Sequence, residues 1–210
     1  MIIKKIVHLI VFLTLFISGL AFAPSKDAVI ALGKLLQGFQ TYQAKFDQVT
    51  VDANGAIKQR TYGRVMIKRP GGCRWESDTP TKQIVIIDGK TLWTYDVDLQ
   101  QATQRSLDQK ANINPASLLS GSVSDLTNQF NVVALSERPQ TFLLTPKQAS
   151  NVSFKSVELQ FNKRQLTRMK IVNSLDETSI FTFNHIRLNQ PLSSRLFQFK
   201  PPPGVDVVSQ

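Results

Sequence analysis

Few residues in this chain carry the chemistry that most enzymes use. There is one cysteine, Cys73, and two histidines, His8 and His185. A thiol and an imidazole are the components of a nucleophile and its base. Cys73, however, belongs to the apolar set of an alternating segment, so it reads as a packed thiol. Asp96 and Asp98 are spaced like a carboxylate pair for acid–base work or for a cation. No further ligands cluster near them, and they read as a solvated turn. No Gly-x-Ser-x-Gly elbow, phosphate loop or metal-ligand spacing occurs in the 210 residues. Arg69 is the sharper case. Before it, Thr61, Gly63, Val65 and Ile67 form the less charged parity of a strand, and Arg69 continues that parity next to Pro70. A guanidinium at the rim of an apolar face has five N–H donors to place. The orphan carbonyls of a helix end or loop are natural acceptors. The competing reading is an ordinary strand-end charge in water.

The chain begins with a basic and then an apolar segment. Lys4 and Lys5 precede the run Ile6–Ile17, and Ser18, Gly19, Ala21 and Ala23 follow. This is the layout of a secretory signal peptide over residues 1–23, cut after Ala21 or Ala23. The run is shorter than the ~20 residues of a spanning helix. No cysteine stands at the boundary to receive a lipid. The full sequence has 25 Lys+Arg against 15 Asp+Glu, a formal charge of +10. Loss of Lys4 and Lys5 with the leader leaves +8. The cations are scattered through alternating segments without a compact basic stripe among exposed aromatics, which argues against nucleic acid as partner. One cysteine excludes an internal disulfide framework.

The elements that position these residues follow from periodicity. Ala28, Val29, Leu32, Leu35, Leu36 and Phe39 make the apolar stripe of a helix over 26–39. The period then falls to two. Tyr42, Ala44 and Phe46 alternate with Gln43, Lys45 and Asp47. Further alternation runs through Arg60–Lys68 and Cys73–Ser77. Ile84–Ile87 and Leu92–Tyr95 flank an Asp88-Gly89 turn as a hairpin. Leu118, Leu119, Val123, Leu126 and Phe130 predict a second helical patch over 115–130, opened by Pro115 and split near Gly121. Strands resume at Val132–Leu135, Phe142–Thr145, Ser156–Phe161, Leu166–Val172 and Ile180–Leu188. Asn162–Gln165 is a hairpin turn, and Phe197–Lys200 a last short strand. About ten antiparallel strands with one apolar face need a cover, and the two helical patches are the covers available. The fold class is α+β: a large curved antiparallel sheet with helices on its concave side. Residues 24–210 form one domain, with no linker long enough to divide them.

Several motifs share an order and spacing with a known family. They are Phe46-Asp47-Gln48, Gly63-Arg64-Val65-Met66-Ile67-Lys68-Arg69-Pro70, Arg74-Trp75, Asp88 to Asp96, Pro115-Ala116-Ser117-Leu118-Leu119-Ser120-Gly121, and Phe197-Gln198-Phe199-Lys200-Pro201-Pro202-Pro203-Gly204-Val205. In these the chain resembles the LolA family, periplasmic carriers that escort lipoproteins to the outer membrane. Cys73 departs from the family, which tends to have an apolar or aromatic residue there. The resemblance implies an unclosed half β-barrel with a helical lid over its concave apolar face. It implies that lipoprotein acyl chains are held on the inner surface, with no cofactor, no metal and no catalysis. It implies two partners: an inner-membrane ABC-type lipoprotein-releasing complex and an outer-membrane lipoprotein receptor. A monomer is expected.

Such a carrier needs apolar area and few directional contacts. Phe46, Val65, Ile67, Trp75 and Trp93 are the candidates on the sheet, and Leu32, Leu35, Leu36, Leu118 and Leu119 on the helices. Sequence pattern fits equally a cavity lining and a filled core. In the family, the arginine of the Lys-Arg-Pro position bonds the lid and holds it closed, which assigns Arg69 as the lid latch. A secreted lipid-binding module without a transfer role and a secreted hydrolase are the alternative functions.

Overall fold

The computed structural model describes residues 26–107, 115–148 and 154–209. The expected signal segment lies outside them. Twelve strands form one sheet: β1 Thr41–Val51, β2 Ile57–Lys68, β3 Gly72–Ser77, β4 Gln83–Asp88, β5 Thr91–Asp96, β6 Gln101–Ser106, β7 Phe130–Glu137, β8 Gln140–Pro146, β9 Phe154–Asn162, β10 Gln165–Asn173, β11 Thr178–Leu188 and β12 Asp206–Ser209. Their order is β12-β6-β5-β4-β3-β2-β1-β11-β10-β9-β8-β7. Neighbours are antiparallel except β12, which lies parallel to β6. The end strands β12 and β7 are not paired with each other, so the sheet stays open.

Successive side chains alternate faces, and residues directly opposite in a ladder share one. Trp75 lies opposite Val65 and Val85, and Ile67 opposite Cys73. Met169 lies opposite Leu159, and Leu159 opposite Phe142. These rows build a continuous apolar inner face. Among the described residues three helices cover it: α1 Lys26–Gln37, α2 Pro115–Ser120 and α3 Val123–Gln129. α2 packs on β2 and β3, while α1 and α3 pack on each other and on β7. Sheet and helices form a single buried apolar cluster. The patch over 115–130 divides at Gly121, as its sequence predicts.

Two strands carry no apolar alternation and were not expected, β6 and β12. The strand expected at Phe197–Lys200 is corrected: the segment opens with a short 3-10 helix, Ser194–Phe197, capped by the Ser193 side chain. The chain here crosses the outer face of the sheet. Phe197 is buried, and its ring packs over Gly72. Phe199 packs at a tilt against Trp93 and Tyr95, at centroid distances of 5.0 and 5.4 Å.

Candidate functional site

Nine of the ten candidate lining residues meet in one cluster. Leu32, Leu35 and Leu36 descend from α1, and Leu118 and Leu119 from α2. Phe46, Val65, Ile67 and Trp75 rise from the sheet, all of them buried. The tenth, Trp93, is corrected. It lies opposite Ile86, which lies opposite Arg74, so it occupies the outer face, while Trp75 shares a row with Val85 and Thr94. Ile86 is buried from that outer side, and both faces of β4 and β5 are therefore apolar.

An aromatic group centres the inner face. Trp75 contacts Phe46 at 4.7 Å, Phe181 at 5.3 Å and Phe183 at 6.2 Å between centroids. Tyr42 stands between Phe39 and Phe183, and its hydroxyl donates to the Leu166 carbonyl at 2.8 Å. Burial raises the Tyr42 pKa well above that of a free phenol. Phe46 lies over Gly63, where a Cβ would come within 2.7 Å of its ring. Phe39, Tyr42, Phe181 and Phe183 were not among the sequence candidates. Tyr42 shares the parity of Phe46 in β1, Phe181 and Phe183 alternate along β11, and Phe39 ends the apolar stripe of the first helical patch.

Arg69 sits at the edge of this face. Its Nη1 donates to the Gly121 carbonyl at 2.8 Å and its Nη2 to the Leu119 carbonyl at 2.5 Å. The guanidinium carbon stands 4.9 Å from the centroid of Phe39, at the α1–β1 junction. Its Nε is buried and finds no hydrogen-bond partner among the described residues. A helix leaves its last four carbonyls without internal donors. For α2, Ser117 accepts from the Gly121 N–H and Ser120 from the Gly71 N–H at 3.0 Å. Arg69 supplies Leu119 and, one residue past the helix, Gly121. Burial lowers the Arg69 pKa to about 10, so the side chain stays charged at neutral pH. Gly71 has φ 80°, and a Cβ there would meet the Gly89 backbone at 2.9 Å. Glycine is thus what lets this turn pass under α2.

Cys73 is fully buried on the inner face, where desolvation pushes its thiol up to about 12. His185 lines a groove on the other face, so the two form no dyad. Asp96 and Asp98 accept backbone N–H groups of the β5–β6 turn and of Lys82. Among the described residues no three His, Cys, Asp or Glu side chains gather to hold a metal, and no helix is long and apolar enough to cross a membrane.

This geometry, an open sheet with a helix-covered apolar face, has known relatives. The family described as "Outer membrane lipoprotein carrier protein LolA" matches residues 37–200. The chain belongs to the LolA family. A Coxiella burnetii (strain CbuK_Q154) protein named outer-membrane lipoprotein carrier protein is 52% identical over 209 residues, covering 99% of each chain. One of the same name from Azotobacter vinelandii (strain DJ) is 35% identical over 205 residues, 95% of this chain and 99% of that one. A solved LolA superfamily protein from Nitrosomonas europaea is only 14% identical. It shares the fold, with a TM-score of 0.51 over 84% of this chain and 98% of that one. The LolA-family match includes β1–β3, β11 and the α2 region, which together carry the aromatic group, Arg69 and the carbonyls it meets.

Proposed function

We propose that this protein is a periplasmic carrier of acylated lipoproteins and not an enzyme. The observation that carries this reading is the inner apolar face closed over by three helices in a chain that belongs to the LolA family. The leader is cut after Ala21 or Ala23. The mature protein accepts cargo from an inner-membrane ABC-type releasing complex and hands it to an outer-membrane receptor.

A lipoprotein acyl chain contributes roughly 0.8 kcal/mol per buried methylene, so free transit through water is prohibitive. The carrier offers apolar contacts in exchange. In the empty protein the leucines of α1 and α2 occupy the face that acyl chains use. Loading therefore requires the helices to lift, and lifting α2 breaks the Arg69 bonds to Leu119 and Gly121. Arg69 is the latch. Each charge-assisted bond contributes about 1.5–3 kcal/mol, while the unpartnered Nε costs about 1–3 kcal/mol. The closed state is thereby favoured by a modest margin, and closure pushes cargo out when a receptor is at hand.

The test measures release from inner membranes and delivery to the receptor separately. Arg69→Leu should accept cargo and deliver it poorly. Arg69→Lys, which keeps charge but loses the planar fork, should fall between. Delivery by Arg69→Leu at the parent rate removes the latch. Failure of the parent protein to take acyl chains at all removes the carrier.

A further inference from the structure

The outer face of the sheet carries a feature that cargo binding does not use. A groove of about 760 Å³ runs beside the 3-10 helix Ser194–Phe197, over β1, β2, β3 and β11. Lys45, Arg64, Arg74, Arg187 and Arg195 line it, with Glu76 as its one carboxylate. Glu76 is buried and serves two of the arginines, since Arg64 Nε and Arg74 Nε both donate to it. Arg74 also reaches the Leu196 carbonyl at 3.3 Å, which ties the C-terminal segment to the rim. Lys45, Arg187 and Arg195 make no ion pair among the described residues. Lys45 stands directly opposite Arg64 in the β1–β2 ladder, and like charges in that position destabilise a sheet. Glu76 offsets Arg64 and Arg74 but not the other three cations, so the groove is complementary to an anion.

The cations do not stop at the groove. Arg60 is opposite Val49, Val49 opposite Ile180 and Ile180 opposite Lys170, so Lys170 and Arg60 share the outer face. Arg168 and Lys68 share it too. The carboxylates among them are Asp47, which the Asn184 side-chain amide binds at 2.6 Å, and Glu158, opposite Lys170. From β3 to β10 this face spans about 20 Å at the usual strand spacing. An acidic peptide segment would fill the groove and leave the rest unmet. A plane of phosphates meets both: one headgroup enters the groove, where fixed guanidinium forks suit phosphate oxygens, and its neighbours face the cations around it.

We propose that this outer face docks on the headgroups of an anionic phospholipid bilayer, leaving the helix-covered face turned away from it. The proposal goes beyond cargo carriage and is tested without cargo. The mature protein is mixed with vesicles of phosphatidylcholine alone or of phosphatidylcholine with phosphatidylglycerol, and binding is read by co-flotation. The protein should float with the anionic vesicles at low ionic strength and not with the neutral ones. Binding should fade as salt shortens the Debye length from ~10 Å at 0.1 M toward ~3 Å at 1 M. The triple variant Lys45→Gln, Arg187→Gln, Arg195→Gln leaves the Glu76 bonds intact. At about fivefold per cation near an anionic surface, it should bind on the order of a hundredfold more weakly, with an unchanged melting curve. Equal binding to neutral vesicles, no flotation at low salt, or a triple variant that binds undiminished would each overturn the proposal. So would capture of a hexaglutamate peptide that depends on these three residues when the vesicles are not bound, which would reassign the groove to an acidic protein segment.

Discussion

Arg69 is a half-buried charge whose donors are only partly met, and that makes its contribution measurable. Two carbonyls and the Phe39 ring face it, and Nε has no hydrogen-bond partner among the described residues. Losing one or two charge-assisted bonds should shift the closed–open equilibrium by roughly one to three orders of magnitude toward open. Cys73 reports that shift, because it lies on the inner face of β3, the strand α2 packs against, and is fully buried. In the parent protein alkylation of Cys73 by iodoacetamide should be slow and limited by opening. In Arg69→Leu it should be faster by at least tenfold. Equal rates in the two proteins would mean that Arg69 does not restrain α2. Glu76 supplies a second test at this scale. Burial opposes its ionisation, but bonds from Arg64 and Arg74 hold its carboxyl below the usual value of 4.5. Its stabilising contribution is therefore fully present above pH 4.5 and is lost as pH falls through the depressed folded value. Glu76→Gln should lower stability at pH 7 by about 1–2 kcal/mol and flatten the acid limb of a denaturation-midpoint curve. An acid limb identical to the parent's would show that the trio contributes nothing.

Among the elements, the β9–β10 hairpin turns on two residues in the left-handed region, Lys163 at φ 47° and Arg164 at φ 67°. Two-residue turns of this kind favour Asn-Gly. Lys163→Asn with Arg164→Gly should therefore raise stability by about 0.5–1 kcal/mol, read as a higher urea midpoint with unchanged slope. A lower midpoint would mean that the long side chains contribute more than the backbone strain costs. This hairpin was legible in the sequence, as were α1, the break at Gly121 and the alternation of β1, β2 and β3. Each has an apolar period that one covered face imposes. β6 was not legible, because Gln101-Ala102-Thr103-Gln104-Arg105-Ser106 has almost no apolar residues to alternate. Nor was β12, a four-residue edge strand exposed along its length. Trp93 was misplaced for the opposite reason. The run Ile84-Val85-Ile86-Ile87 is continuous because the C-terminal segment covers the outer face while the helices cover the inner one. Parity has no preferred side in such a run. The spacing of Phe197 and Phe199 imitated a strand for the same reason, since both rings pack on that outer face. Arg69 was legible by parity alone, whereas its acceptors needed α2 to be set against the end of β2.

For the whole molecule, an open sheet is what permits a covered face to be uncovered. A closed barrel would have fixed its interior, but here β7 and β12 remain separate edges and α1–α3 cover the inner face. On the proposed carrier reading, in which the acyl chain and the helices compete for one surface, the observed affinity is the intrinsic affinity of the open state multiplied by the open fraction. That relation separates two quantities which a single binding constant merges. The intrinsic term depends on acyl length, at about 0.8 kcal/mol per buried methylene, or roughly fourfold per CH₂. The open fraction depends on the lid and not on the ligand. A series of acylated dipeptides of increasing chain length, titrated against the parent and Arg69→Leu, should therefore give two parallel lines of log affinity against length. The variant's line should lie above the parent's by the latch contribution, roughly one to three orders of magnitude. Coincident lines would mean that Arg69 does not bias closure. A steeper line for the variant would mean instead that the introduced leucine side chain touches the acyl chains directly, in which case Arg69→Gln, adding less apolar surface, should restore the parent slope while keeping the offset. An affinity indifferent to acyl length in both proteins would mean that the helix-covered face is a permanent core and that cargo binds elsewhere.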